Sequence, residues 1–134
     1  MSERESDAQA PASRYDAGMA VRREVLGDDH VDRANAAITP LDEAFQRYIT
    51  ETAWGGIWTR DRQLDRRTRS CMTIALLTAL RADKELAMHI RGGLNNGLTP
   101  AEITEVILHT VPYSGIPAAN AAINVAKTVL GEPD

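Results

Sequence analysis

CMTIALLTAL, residues 71–80, has no charged side chain, and its only polar groups are two threonine hydroxyls. A surface helix buries one apolar stripe, whereas a helix that is apolar on nearly every side is enclosed by protein. The stretch therefore predicts a helix that is central to the fold or that lies at a contact between subunits. Asp65 is its predicted N-cap, because a short carboxylate accepts hydrogen bonds from the free N–H groups of a first turn.

Two more helices are predicted downstream of this stretch. The first runs from about residue 83 to residue 95 and ends at the Asn-Gly pair 96–97, which favours a left-handed stop. The second begins at TPAE, residues 99–102, a capping box with proline in the first turn. Pro112 and the GIP turn at 115–117 are predicted to separate it from an alanine-rich last helix.

Upstream, apolar residues at helical spacing predict a helix that Gly27 ends and another that opens at the Thr-Pro pair 39–40. WGGIW, residues 54–58, is predicted to interrupt this second helix with a close-packed corner, since two glycines permit a sharp turn. The charged DDH segment at 28–30 is predicted to be an exposed loop. No segment has the pattern of a strand.

The fold class is therefore all-α. We expect a single helical domain of about six or seven helices over residues 14–132, preceded by a disordered polar tail over residues 1–13. The length suits one domain with a real core.

Composition excludes several classes of function. The net charge of -4 and the pI near 5.4 argue against nucleic acid, whose binding requires a basic surface. No apolar run is long enough to span a membrane, and the N-terminal stretch is charged where a signal peptide is apolar. Cys71 is the single cysteine, so the chain forms neither an internal disulfide nor a thiolate cluster for a metal. We expect a soluble, cytoplasmic protein.

A histidine next to an arginine is the first candidate for chemistry. On a helix, His89 and Glu85 are four residues apart and share a face, so the carboxylate can orient or charge the imidazole. Arg91 adds a candidate anion-binding group. From spacing alone, the alternative is a half-buried histidine that holds a surface carboxylate.

Taken in order, several segments resemble the carboxymuconolactone decarboxylase family, and they cover roughly residues 15–130. The matching segments are LDRRTR at 64–69, ELAMH at 85–89, GLTP at 97–100, Glu102-Ile103, Glu105-Val106, His109 and YSGIPAAN at 113–120. FQRYITETAWG, residues 45–55, resembles the γ-carboxymuconolactone decarboxylase subgroup in particular. The resemblance implies the all-α alkylhydroperoxidase D-like fold and a homohexamer assembled as a trimer of dimers.

The same superfamily contains peroxidases that use a glutamate and a CxxC pair near the histidine. Aligned on His89, the cysteine positions hold Ala82 and Glu85, and the glutamate position holds Ser70. Peroxide reduction of that kind needs a thiolate and a resolving thiol. The resemblance therefore excludes the redox branch, and Cys71 is predicted to be an inert core residue.

The resemblance implies cofactor-independent decarboxylation of 4-carboxymuconolactone to 3-oxoadipate enol-lactone in the breakdown of protocatechuate. The substrate is a small lactone dicarboxylate that accepts the released electrons itself, so neither a metal nor an organic cofactor is implied. His89 would protonate the ring, with Glu85 keeping the imidazole cationic. The implied substrate-binding residues are Arg67, Arg69 and Arg91 for the carboxylates, His109 and Tyr113 for the enolate oxygen, and Trp54 for the ring.

Each of these residues also has a structural interpretation that the sequence leaves open. The arginines belong to a basic run that can be a solvated face, His109 and Tyr113 can be a packing pair at a helix end, and Trp54 can be a core anchor. Two other functions remain open. One is a family decarboxylase or isomerase acting on another lactone, and the other is a non-catalytic helical oligomer.

Overall fold

The computed structural model describes residues 13–131, which form seven α-helices and a π-helical turn, with no strand in that range. The helices are α1 (Arg14–Leu26), α2 (Asp28–Ala36), α3 (Glu43–Ile49), α4 (Arg66–Leu80), α5 (Asp83–Asn95), α6 (Pro100–Ser114) and α7 (Ile116–Leu130). The π-helical turn Thr50–Trp54 continues α3. The all-α class and the number of helices are confirmed. The predicted tail lies outside the described residues except for Ser13, and Glu132 also lies outside them.

Local capping signals set most of the helix ends. The Asp65 carboxylate accepts a hydrogen bond from the Thr68 N–H at 2.7 Å and begins α4. At the start of α6, the Thr99 hydroxyl and the Glu102 carboxylate each accept a hydrogen bond from the other residue's N–H. Gly97, with φ of 95°, turns the chain after α5. These predictions are confirmed, because each depends only on neighbours in sequence.

Three local predictions are wrong. The charged segment at 28–30 is the first turn of α2, where the positive end of the helix dipole favours the two aspartates. Helix α3 begins at Glu43, because Asp42 accepts a hydrogen bond from the Thr39 N–H at 2.8 Å and closes a turn first. Pro112 lies inside α6, which continues to Ser114. The helix continues because Pro112 removes only one helical hydrogen bond, and the inner face of α6 stays buried.

Helices α4 to α7 pack around an aliphatic core. Its fully buried side chains are Ile74, Leu86, Ile90, Ile103 and Ile107, and small alanines of α7 fill the space between helices. The outer face of α4 is different. Met72, Leu76 and Leu80, spaced four residues apart, are exposed, so burial of α4 on every side is wrong for the single chain.

A second apolar cluster joins α1 and α2 to Trp54 and Trp58. Helix α1 lies directly against the π-helical turn, since a Cβ atom added at Gly18 would sit 2.2 Å from the Thr50 carbonyl oxygen. The Asn95 side chain donates to the Val25 carbonyl at 2.7 Å and ties α5 to α1. No helix within residues 13–131 has the length and apolarity needed to cross a membrane.

Candidate active site

A cavity of about 500 Å³ opens between α1, α3, the π-helical turn and α5. Most of its wall is apolar, as in ligand pockets generally. Its polar lining residues are few: Arg22, Gln46, Thr73, Glu85 and His89. Of the residues that the sequence predicts for a site, the structure brings His89, Glu85 and Trp54 together here.

His89 lines the cavity beside two indole rings, which line it as well. Its ring is stacked on Trp54, with centroids 6.0 Å apart and planes 10° apart, and on Trp58, with centroids 6.1 Å apart and planes 21° apart. The π-helical turn ends at Trp54, so this wider turn fixes where the first indole sits. Only 9% of His89 is exposed, and its Nδ1 has no hydrogen-bond partner.

Burial keeps the imidazole neutral. Desolvation, and to a smaller extent the charge of His30, lower the pKa of His89 to about 4, and the opposing effect of Glu85 is smaller than that of burial. The expectation that Glu85 keeps His89 cationic is therefore wrong for the empty site. At neutral pH the cavity presents an uncharged imidazole with an unused nitrogen.

Arg22 is the polar residue of the cavity that the sequence analysis missed. It extends from α1, is only 7% exposed, and its Nε has no hydrogen-bond partner. Burial lowers the pKa of its guanidinium, whose charge nevertheless persists at neutral pH. A usable signal was present, since Arg22 lies three residues after Met19 and four before Leu26, on the apolar face of α1.

The three predicted arginines lie elsewhere in the chain's fold. Arg67 pairs with Glu102 at the start of α6. Arg69 is buried and donates to the Arg60 carbonyl at 3.0 Å, which ties the loop before α4 to that helix. Arg91 lines a different, shallow pocket together with His30 and Arg33. The structure does not bring these arginines to the cavity of His89.

His109 and Tyr113 form a pair on the outside of α6. Their ring centroids are 5.6 Å apart with planes tilted by 42°, and Tyr113 is 80% exposed. The two side chains are thus together, as their spacing predicts, but they do not line the cavity of the same chain.

The remaining candidates for reactive or metal-binding chemistry add little. Cys71 is half-buried, and desolvation raises the pKa of its thiol, which disfavours the reactive thiolate. Ser70 is fully buried and accepts a hydrogen bond from the Asn96 side chain at 2.9 Å. Across residues 13–131, no group of three His, Cys, Asp or Glu side chains has an arrangement that would hold a metal ion.

The fold and the cavity together define an all-α protein with one buried histidine in an aromatic-walled pocket, a layout suited to proton transfer on a small molecule. The chain belongs to the carboxymuconolactone decarboxylase family, whose model matches residues 43–128. It is 47% identical over 116 residues to 4-carboxymuconolactone decarboxylase of Acinetobacter baylyi, covering 87% of this chain and 86% of that protein. It is 40% identical over 118 residues to nitrosuccinic acid decarboxylase of Metarhizium robertsii, covering 88% of this chain and 82% of that protein.

Proposed function

We propose that this protein decarboxylates 4-carboxymuconolactone to 3-oxoadipate enol-lactone. The observation that carries the proposal is the 47% identity, over most of both chains, to the Acinetobacter enzyme named for this reaction. The cavity supports it, since its apolar, aromatic wall suits a flat ring and the guanidinium of Arg22 suits an anionic substrate. The reaction is a carboxy-lyase step in the breakdown of protocatechuate.

The substrate supplies its own electron sink. When the bond from the γ carbon to the leaving carboxylate breaks, its electron pair passes through the ring double bond into the lactone carbonyl and gives a dienolate. A proton then adds to the α carbon, and the enol-lactone and carbon dioxide are the products. Because the carbonyl accepts the charge, we expect no metal or organic cofactor to take part.

His89 delivers that proton in our proposal. The empty cavity holds a neutral imidazole, but the carboxylates of a bound substrate are negative charges next to it, and such charges favour the imidazolium. Binding of the substrate therefore favours protonation of His89, which then supplies the proton for the reaction. The stacked indoles of Trp54 and Trp58 hold the ring in place, and Glu85, four residues before His89, adds to the negative field.

The test is direct. Purified protein is incubated with 4-carboxymuconolactone, and loss of the butenolide absorbance is followed together with release of carbon dioxide. We expect turnover that dialysis against a strong chelator leaves unchanged. Absence of turnover in a folded, homogeneous sample contradicts the function, and a loss that a divalent ion restores contradicts the cofactor-free mechanism.

A second candidate substrate follows from the Metarhizium relative. Nitrosuccinic acid also carries two carboxylates, and its nitro group can accept the electron pair released with carbon dioxide. The 40% identity to a protein named as its decarboxylase supports this alternative. Measuring kcat/KM for both substrates with the same preparation distinguishes the two, and we expect the lactone to have the higher value.

We also propose that the protein is a homohexamer, a trimer of dimers, as its family resemblance implies. The stripe of exposed apolar residues along α4 supports this, because Leu76 is 62% exposed at its centre. Sedimentation at micromolar concentration is expected to show the hexamer, and Leu76→Glu is expected to reduce its size. Lys84→Glu, an exposed change outside the stripe, is the control. A stable folded monomer of the unaltered chain contradicts the assembly.

A cytoplasmic location completes the proposal. The single cysteine rules out an internal disulfide and suits a reducing compartment. Cell fractionation is the test.

A further inference from the structure

We infer that Arg22 binds the carboxylate that the substrate keeps, and thereby selects dicarboxylates over monocarboxylates. The inference rests on the proposed decarboxylation for the identity of the substrate. It rests on the structure for the binding group, since Arg22 is the arginine that lines the cavity of His89.

The environment of Arg22 suits the binding of an anion. The residue is 93% buried, and a buried guanidinium normally has carboxylate or carbonyl partners that offset its loss of solvent. Its Nε has none, and no ion pair within residues 13–131 includes it. A planar guanidinium matches a carboxylate with two parallel hydrogen bonds. A bound carboxylate would supply the partner that the folded chain does not.

Arg22 is the charged basic group at this wall. Burial, followed by the charges of Arg22, Arg33 and Arg91, lowers the pKa of His30, so that imidazole is uncharged at neutral pH, as is that of His89. The guanidinium of Arg22 therefore makes this part of the cavity electropositive, although the chain as a whole carries a net charge of -4. An anion entering it is attracted to that wall, whereas Glu85 places a negative charge at another part of the lining.

The direction of charge movement decides which carboxylate Arg22 holds. During decarboxylation, negative charge leaves the departing carboxylate and appears on the lactone oxygen. A cation paired with the departing group would stabilise the reactant more than the transition state and slow the reaction. A cation paired with the retained acetate arm binds both states equally. Arg22 at the retained carboxylate thus lowers KM without opposing bond cleavage.

Helix α1 places Arg22 at the cavity. The match to the family model covers residues 43–128 and includes His89 but not α1, whereas the matches to the Acinetobacter and Metarhizium proteins cover 87% and 88% of this chain and include Arg22. Gly18, four residues before Arg22 on the same face of α1, lets the helix approach the π-helical turn and brings the guanidinium to the cavity. Helix α5 provides the histidine, and α1 provides the carboxylate-binding group.

The first test measures binding without reaction. Both tryptophans of the chain line the cavity, so their fluorescence reports on ligand entry. Adipate, an unreactive dicarboxylate, is titrated against hexanoate, a monocarboxylate with the same number of carbons. We expect the unaltered protein to bind adipate at least 10-fold more tightly than hexanoate, and Arg22→Gln to lose this preference. Arg22→Lys is expected to regain part of it. Arg23→Gln, a neighbouring change on the outer face of α1, is the control and is expected to retain it.

The second test is kinetic. Loss of a charge-assisted hydrogen-bond pair is expected to raise KM for 4-carboxymuconolactone about 100-fold in Arg22→Gln, with kcat changed by less than about 3-fold. Arg22→Met, which removes a buried unpaired charge, is expected to fold and to have a higher Tm than the unaltered chain. That result shows that lost binding does not come from a lost fold.

The outcomes separate this inference from the proposed function. If the unaltered protein fails to turn over the lactone but binds adipate through Arg22, the function falls and the carboxylate site stands. If Arg22→Gln binds adipate within 2-fold of the unaltered protein, or loses kcat at constant KM, the inference is overturned. An unaltered protein that does not distinguish adipate from hexanoate overturns it as well.

Discussion

The two apolar clusters of the molecule differ in what they leave unsatisfied. The cluster of α4 to α7 is aliphatic, and α4 and α6 begin at side-chain caps, Asp65 and Thr99. The cluster of α1 and the two tryptophans borders a cavity with two buried nitrogens that lack partners, Arg22 Nε and His89 Nδ1. The third such atom within residues 13–131, Arg69 Nε on α4, lies outside that cavity.

The difference indicates that one cluster stabilises the fold and the other borders a binding site. Buried polar atoms without partners cost stability, and natural proteins keep few of them. Burial of the aliphatic cluster stabilises the fold enough to offset the cost of these unpaired atoms. The cavity retains polar groups that a ligand can pair with. Stabilising the cavity and improving its function are therefore expected to conflict, as often happens at binding sites.

The largest expected effect is at His89. Glutamine keeps the size and the hydrogen-bonding ability of the side chain but cannot transfer a proton at neutral pH. His89→Gln is therefore expected to lower kcat by about 10²- to 10⁴-fold with a small change in KM. Steady-state kinetics on the lactone measure both values. Retention of the full kcat in this variant rules out the proton-donor role.

The aliphatic cluster is expected to respond in the opposite way. Ile74 is fully buried in it, so Ile74→Ala leaves a cavity and is expected to cost about 2–5 kcal/mol of unfolding free energy. Activity per folded molecule is expected to stay near that of the unaltered chain. Urea unfolding and kinetics of the same sample are the measurements, and a kcat loss without a stability loss would erase the distinction between the clusters.

The cavity is also expected to make stability depend on pH. His89 binds a proton near pH 4 when folded and near pH 6.5 when unfolded, so the unfolded chain gains protons first as pH falls. Stability is constant with respect to this group above pH 6.5 and declines by about 3 kcal/mol on acidification to pH 4. Comparing urea unfolding of the unaltered chain and His89→Gln over this range isolates the effect. Equal pH dependence in both contradicts the buried neutral histidine.

The smallest expected effect is at Cys71. Its thiol is half-buried beside the aliphatic cluster and outside the cavity, so Cys71→Ser is expected to cost about 1 kcal/mol and to keep its turnover. Thermal unfolding and the lactone assay check this. Abolished turnover in a folded Cys71→Ser protein would require a thiol mechanism in place of the proposed one.

The sequence predicts what local chemistry decides. The caps at Asp65 and Thr99 and the left-handed stop at Gly97 involve groups within a few residues, and all three are confirmed. The helical continuation through Pro112 was missed, because packing of the inner face of α6 outweighs the residue's own preference. The start of α2 was also missed, although the two aspartates of its first turn are a local signal.

The residues of the candidate site also divide into those predicted from local sequence and those placed by contacts between distant segments. His89, Glu85 and Trp54 are predicted from the sequence and meet in the cavity. Glu85 and His89 share a helix face, and Trp54 belongs to the segment 45–55 that resembles the family. Arg22 reaches them only because α1 packs against the π-helical turn, a contact between segments distant in sequence. Arg67 was a candidate for binding a substrate carboxylate, but in the folded chain it pairs with the Glu102 carboxylate instead.

The central claim is that His89 is neutral in the empty cavity and gains its proton when a dianion binds. Calorimetric titration of adipate at pH 7, in two buffers with different ionisation enthalpies, counts the protons taken up on binding. The account predicts net uptake of a sizeable fraction of a proton by the unaltered chain, and a much smaller uptake by His89→Gln. Tight binding with no uptake, or with equal uptake by both proteins, would contradict it.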